Sequence, residues 1–175
     1  ASEYDQQAVA IAQELGDRST EANALTFLGH ALGGLGQLSA AGESYESALS
    51  IRRELGEQTM AMETLAGLAR VALERGDATA ALDHVQEILT HLETGTLDGA
   101  EEPIRIYLTC YQVLRSNRNL ARALEVVPVA HGLLQERAAR ISDEGMRRSF
   151  LERVEAHRQI VEAFAQLPAL QEEAE

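Results

Sequence analysis

Apolar and polar positions along this chain alternate with the period of a helix. In "ALTFLGHALGGLG", residues 24–36, Leu25, Leu28, Leu32 and Leu35 recur at steps of three and four, which places them on one face of a 3.6-residue helix. In "AAGESYESALSIRREL", residues 40–55, Ala41, Tyr45, Ala48, Ile51 and Leu55 do the same. The intervening "GLGQ" predicts a turn, with Gly36 free to take a positive φ. Two amphipathic helices joined by a short turn form a hairpin, and "ELGD" or "ELGE" closes each unit with a glycine stop.

The pattern repeats. "AIAQELGDRS" at residue 10 returns as "SIRRELGEQT" at residue 50, a spacing of 40 residues. At the same spacing Leu25 falls on Leu65, Leu28 on Leu68, Gly36 on Gly76 and Ala41 on Ala81, and Asp77 stands where a helix N-cap is expected. One hairpin buries little by itself; stacked copies bury a continuous core. Residues 3–15 read as a second helix without its first, with Ala8, Ile11 and Leu15 in the register of Ala48, Ile51 and Leu55. The chain therefore reads as a fragment of a longer protein.

Leu25, Leu28-Gly29 and Leu32, followed by Ala41, Tyr45 and Ala48, resemble the tetratricopeptide repeat. Looser copies run through Leu65, Leu68-Ala69, Ala72, Ala81, Val85 and Ile88, and through Tyr107, Cys110-Tyr111, Leu114, Ala123, Val127 and Ala130. The proline usual after the family's second helix is missing, and Arg53 stands there. The resemblance implies an all-α fold, a right-handed superhelical array of antiparallel helix hairpins. We expect a partial repeat at 1–17, repeats at about 18–57, 58–98 and 99–141, a capping helix pair at 142–167 begun by Ser142, and a polar tail at 168–175. The long period is similar to that of arrays in bacterial signalling ATPases and LuxR-type transcription regulators, where the array follows an NTPase module.

Composition narrows the function. The net charge is −13, every basic residue is arginine, and residues 1–100 hold 5 Arg against 16 acids. Such a surface repels nucleic acid and anionic lipid. No apolar run of about 18 residues is present to span a bilayer, and the polar start "ASEYDQQ" is no signal peptide. A single cysteine, Cys110, points to a reducing, cytoplasmic setting.

Candidate chemistry is sparse. His84, Glu87 and His91 share a helix face but lack further metal ligands. Cys110 occupies a position that the repeat gives to a buried apolar side chain, and we read it as core. "GHALGGLG" lacks the Gly-Lys-Ser/Thr ending of a phosphate loop. "RNLAR" and "MRRSFLER" concentrate arginine for salt bridges or an acidic peptide. No catalytic residue, metal site or cofactor is expected.

By the resemblance, ligands contact first-helix positions that point away from the second helix. Those are Asn23, Thr26, His30 and Gly33, then Glu63, Ala66, Arg70 and Leu73, then Arg105, Leu108, Gln112 and Arg115. Because they interrupt the apolar pattern, we expect them to be exposed. Asn23, Thr26, His30, Glu63, Arg70, Arg105, Gln112 and Arg115 form the expected partner-binding groove. The expected function is a protein–protein interaction module of a bacterial regulator, binding a peptide, an acidic one in particular, or the NTPase module of its own chain. The alternative is a structural spacer or a weakly self-associating segment.

Overall fold

The computed structural model describes residues 2–168; all but the first residue of the expected tail at 168–175 lie outside them. All regular structure among the described residues is helical, arranged as an array of antiparallel hairpins. The chain divides into two compact units, Ala1–Glu101 and Glu102–Glu175.

The first unit contains α1 (Ser2–Leu15), α2 (Arg18–Gly34), α3 (Leu38–Leu55), α4 (Gln58–Glu74) and α5 (Ala78–Thr94). Its turns keep strict time. Gly16, Gly36, Gly56 and Gly76, each 20 residues after the last, all have φ between 68° and 78°. Each is followed by an N–H that reaches back to the helix just ended: Asp17 to Ala12 O, Gln37 to Leu32 O, Glu57 to Arg52 O and Asp77 to Ala72 O, at 2.9–3.0 Å. That left-handed glycine stop fixes both helix length and hairpin angle, and two such stops make the 40-residue period. Asp17 and Asp77 cap the following helices through Thr20 N–H and Ala80 N–H.

Alanine and glycine let these helices approach. Ala22, Ala41, Ala48, Ala66, Ala69 and Ala81 are fully enclosed. α1 follows a different logic. Ala12 packs inward, while Ala8 and Ile11, whose counterparts Ala48 and Ile51 are buried in α3, are exposed. α3 packs against both α2 and α4, whereas among the described residues α1 packs against α2 alone.

The second unit contains α6 (Pro103–Ser116), α7 (Leu120–Ala139), α8 (Glu144–Glu152) and α9 (Glu155–Ala165). α6 and α7 form its hairpin, and α9 packs on both. Arg118 holds the turn at φ 59°, the place taken by glycine in the first unit. The cap of α8 is Asp143, which accepts the Met146 N–H, and not Ser142. The carboxylate one residue later is the stronger acceptor for an orphan helix N–H. α9 ends at Ala165, short of Pro168. Its Ile160 is fully buried, and its Phe164 lies parallel to His131 of α7, centroids 3.9 Å apart.

Candidate functional site

In the first unit, the expected groove positions on α2 and α4 are organised around Arg52 of α3. Its side chain is only 2% exposed. One guanidinium nitrogen, Nη2, donates to Asn23 Oδ1 at 3.0 Å and to Thr26 Oγ1 at 3.2 Å. The other, Nη1, lies 3.5 Å from Glu57 Oε2. Burial holds the Arg52 pKa below its ordinary value, against the opposing charges of Glu57, Glu63 and Glu101. Thr26 also donates to Ala22 O and lies 3.4 Å from the Thr64 hydroxyl.

A second cluster adjoins it. Tyr45 from α3 passes between Gly29 of α2 and Gly67 of α4 and meets His30 Nδ1 with its hydroxyl at 2.7 Å. Arg70 Nη2 approaches the same Nδ1 at 3.4 Å. Arginine can only donate, so Nδ1 accepts in that contact, and Nε2 is left on the other side of the ring. That atom faces Glu63 Oε1 at 3.9 Å. The other Glu63 oxygen accepts the Glu101 N–H at 3.3 Å. Burial pushes the Glu63 carboxyl up, but the nearby His30 imidazole, the Glu101 N–H and the Arg52 charge together outweigh it, so its pKa falls below the ordinary value.

Four of the twelve expected positions are not open: Thr26, Glu63 and Ala66 in this unit and Leu108 in the second. Thr26 is 3% and Glu63 6% exposed. They break the apolar pattern because they satisfy buried partners, not because they face water. Ala66 is fully buried as well, and Asn23, His30 and Arg70 are half-buried. Arg52, the centre of the cluster, was missed by the sequence reading. A signal existed: at the 40-residue spacing its counterparts are Ala12 and Leu92.

In the second unit, Gln112 and Arg115 of α6 line an open pocket of about 330 Å3. Leu108, Tyr111 and Ala163, all buried, form its floor. α9 supplies the facing wall through Arg158, Gln159 and Glu162, with Gln166 just past its end. Gln112 Nε2 donates to Gln159 Oε1 at 2.9 Å. Arg115 donates to the Tyr111 hydroxyl at 3.2 Å and lies 5.7 Å above the centroid of its ring. Arg158 is held by Glu155 and Glu162 at 2.7 Å. Arg105 stands apart from the pocket, paired with Glu102 at 2.8 Å. The repeat alignment ended before α9, so its residues were not among the expected ones.

Glu87 is bound by Arg53 through both oxygens at 2.8 Å, and His91 Nε2 lies 3.1 Å from Thr96 O. Cys110 is fully enclosed, and burial pushes its thiol up to about 12, which leaves it a core side chain with little thiolate. No described helix is long and apolar enough to cross a membrane.

Hairpins closed by glycine at a fixed interval, with a second-helix aromatic seated between small residues of two first helices, agree with the sequence comparison. Residues 20–94 match the tetratricopeptide repeat family model. Among solved structures, a kinesin-light-chain-type protein of nearly identical TPR-like repeats from Podosopora anserina aligns with a TM-score of 0.59 at 14% identity, over 99% of this chain and 87% of that one. BtubC (BKLC) from P. vanneervenii aligns with a TM-score of 0.63 at 17% identity, over 96% and 72%. No curated protein sequence matches the chain. At these identities the structural likeness bears on the fold, a tetratricopeptide-like helical array.

Proposed function

We propose that the chain is a protein-interaction module that binds a peptide or a segment of a partner domain on its first-helix faces. The observation that carries this reading is the second-unit pocket. Its floor is apolar, and its rim offers amide groups from Gln112, Gln159 and Gln166 and the guanidinium of Arg115, while Arg158 is held by Glu155 and the rim carboxylate Glu162. Amides suit the alternating donors and acceptors of a peptide backbone, and arginine suits carboxylates. An acidic peptide is the fitting ligand. Within this proposal the module serves a larger bacterial signalling or transcription regulator in the cytoplasm, and the NTPase module of that protein is a candidate partner. The 40-residue period supports that context.

Fluorescence anisotropy with labelled acidic and neutral peptides of equal length tests the proposal. Acidic peptides should bind, and Gln112→Ala with Arg115→Ala should weaken them at least about tenfold, roughly 1.4 kcal/mol. Equal, weak binding of every peptide by both proteins would reject it. The alternative of self-association is favoured by one feature, the exposed Tyr4, Ile11 and Leu15 on α1.

A further inference from the structure

One cavity in the first unit lies away from both first-helix sites, where the ends of α3 and α5 meet the start of α4. It is open and measures about 450 Å3, within the roughly 300–1,000 Å3 of small-ligand sites. Ala61 and Met62, both buried, form its floor. Gln58, Thr90 and Thr94 stand around it.

The internal repeat shows what this place holds in the other copy. Forty residues earlier, Gln58 corresponds to Arg18, Ala61 to Glu21 and Thr94 to Glu54. There Arg18 bonds Glu21 at 2.6 Å and Glu54 at 3.2 Å, and Gln13 adds a bond to Glu21 at 2.9 Å. The same backbone geometry is plugged by an ion-pair cluster in one copy. In the other, that cluster is replaced by Gln58, Ala61 and Thr94, which leave an apolar floor under neutral hydrogen-bonding groups.

The chemistry around the opening selects an uncharged occupant. Of its two arginines, Arg53 is closed on its carboxylate, Glu87, and Arg52, 2% exposed, turns its guanidinium away to Asn23, Thr26 and Glu57. His91 is turned to Thr96 O and backed by Gly95, where a Cβ would meet its ring at 3.0–3.1 Å. What remains is one carboxamide and two hydroxyls. α4 also opens here, and its N-cap residue Glu57 gives no side-chain bond to the first turn, whose N–H groups suit a carbonyl oxygen. We propose that this pocket takes an aliphatic side chain from a partner polypeptide, with Gln58, Thr90 and Thr94 bonding the peptide groups on either side of it. This is an interaction surface at the second-helix edge, independent of the first-helix sites.

The test uses the whole chain labelled with 13C at its methionine methyls. N-acetyl-L-leucinamide supplies an aliphatic side chain between two peptide groups; free leucine supplies the same side chain with two charges. Titration with the capped compound should move the Met62 methyl resonance to saturation and leave Met146, in the second unit, in place. Free leucine should bind at least about tenfold more weakly, because the pocket holds no open charge for either end. Gln58→Arg/Ala61→Glu/Thr94→Glu, which writes the first copy's plug into the second, should abolish the Met62 shift. Should that variant fold poorly, Gln58→Arg/Thr94→Glu keeps the buried floor and should weaken binding at least about tenfold. An unmoved Met62, equal movement of Met62 and Met146, undiminished binding by the plugged variants, or free leucine binding as well as the capped compound would each overturn the proposal.

Discussion

The ring of Tyr45 occupies the space that a Cβ on Gly67 would need: the nearest ring atom lies 2.5 Å from that position. Gly29 stands on the ring's other side, its Cβ position 2.6 Å away. The ring is 2% exposed and its hydroxyl is anchored to His30, so it has no direction in which to yield. Alanine is the better helix former by about 1 kcal/mol, yet overpacking a site without slack costs about 1–3 kcal/mol. Gly67→Ala and Gly29→Ala should each lower the unfolding free energy in urea. Gly132→Ala, on an exposed face of α7 with nothing within 4 Å of its Cβ position, should raise it by up to about 1 kcal/mol.

Arg52 should be the most costly polar side chain to remove. Its loss leaves Asn23, Thr26, Glu57 and Glu63 without the cation around which they are arranged. Breaking a buried pair from one side costs about 3–5 kcal/mol. We expect Arg52→Ala to destabilise the chain by about 3 kcal/mol in chemical denaturation. Arg52→Lys should recover only part of it, since one ammonium cannot bond Asn23 and Thr26 while lying beside Glu57. A loss below 1 kcal/mol for Arg52→Ala would mean that the cluster contributes little.

Glu63 gives the fold an acid-sensitive contact. Its folded-state pKa is lowered, so the folded protein holds this proton less tightly than the unfolded chain. The stability it contributes is present above the ordinary carboxyl range and is lost as pH falls through the lowered value. Urea midpoints measured from pH 7 downward should therefore fall more steeply for the native protein than for Glu63→Gln, with the two curves converging in acid. Parallel curves would show that Glu63 contributes no pH-linked stability.

Much of the architecture could be read from local signals. Gly16, Gly36, Gly56 and Gly76 mark every turn of the first unit because a left-handed stop needs glycine, and Asp77 announces a cap. Arg118 does the same work without that mark, which is why the turn in the second unit is faint in the sequence. The site was harder to read. A polar residue on a first helix looks the same whether it meets solvent, as Arg115 does, or a buried partner from another helix, as Thr26 and Glu63 do. That distinction depends on Arg52, which reaches Thr26 from 26 residues away, and on His30 and the Glu101 N–H, which meet Glu63, and so belongs to packing. The contribution of α9 to the second-unit pocket was hidden for a related reason. α9 lies outside the repeat, so no alignment points at Gln159 or Glu162.

The exposed stripe of α1 leads to the last prediction. Tyr4, Ile11 and Leu15 are 75%, 57% and 76% exposed, while Ala12, one position from Ile11, is 1% exposed. Ile11 and Leu15 lie on the same side of the helix, and no basic residue accompanies them on α1. Apolar side chains on an open helix face favour association with a second apolar surface. At this exposure they add little to the stability of the monomer. Sedimentation equilibrium of the chain should show weak, concentration-dependent association that Ile11→Asp/Leu15→Asp removes, with its urea midpoint nearly unchanged. Ala12→Asp should behave in the opposite way, because it places a charge in the α1–α2 contact and should unfold or loosen the helix. Association that survives the double substitution would assign it to another surface. A large loss of stability in that variant would show that Ile11 and Leu15 are core residues of the isolated chain, and the open-face description of α1 would fail.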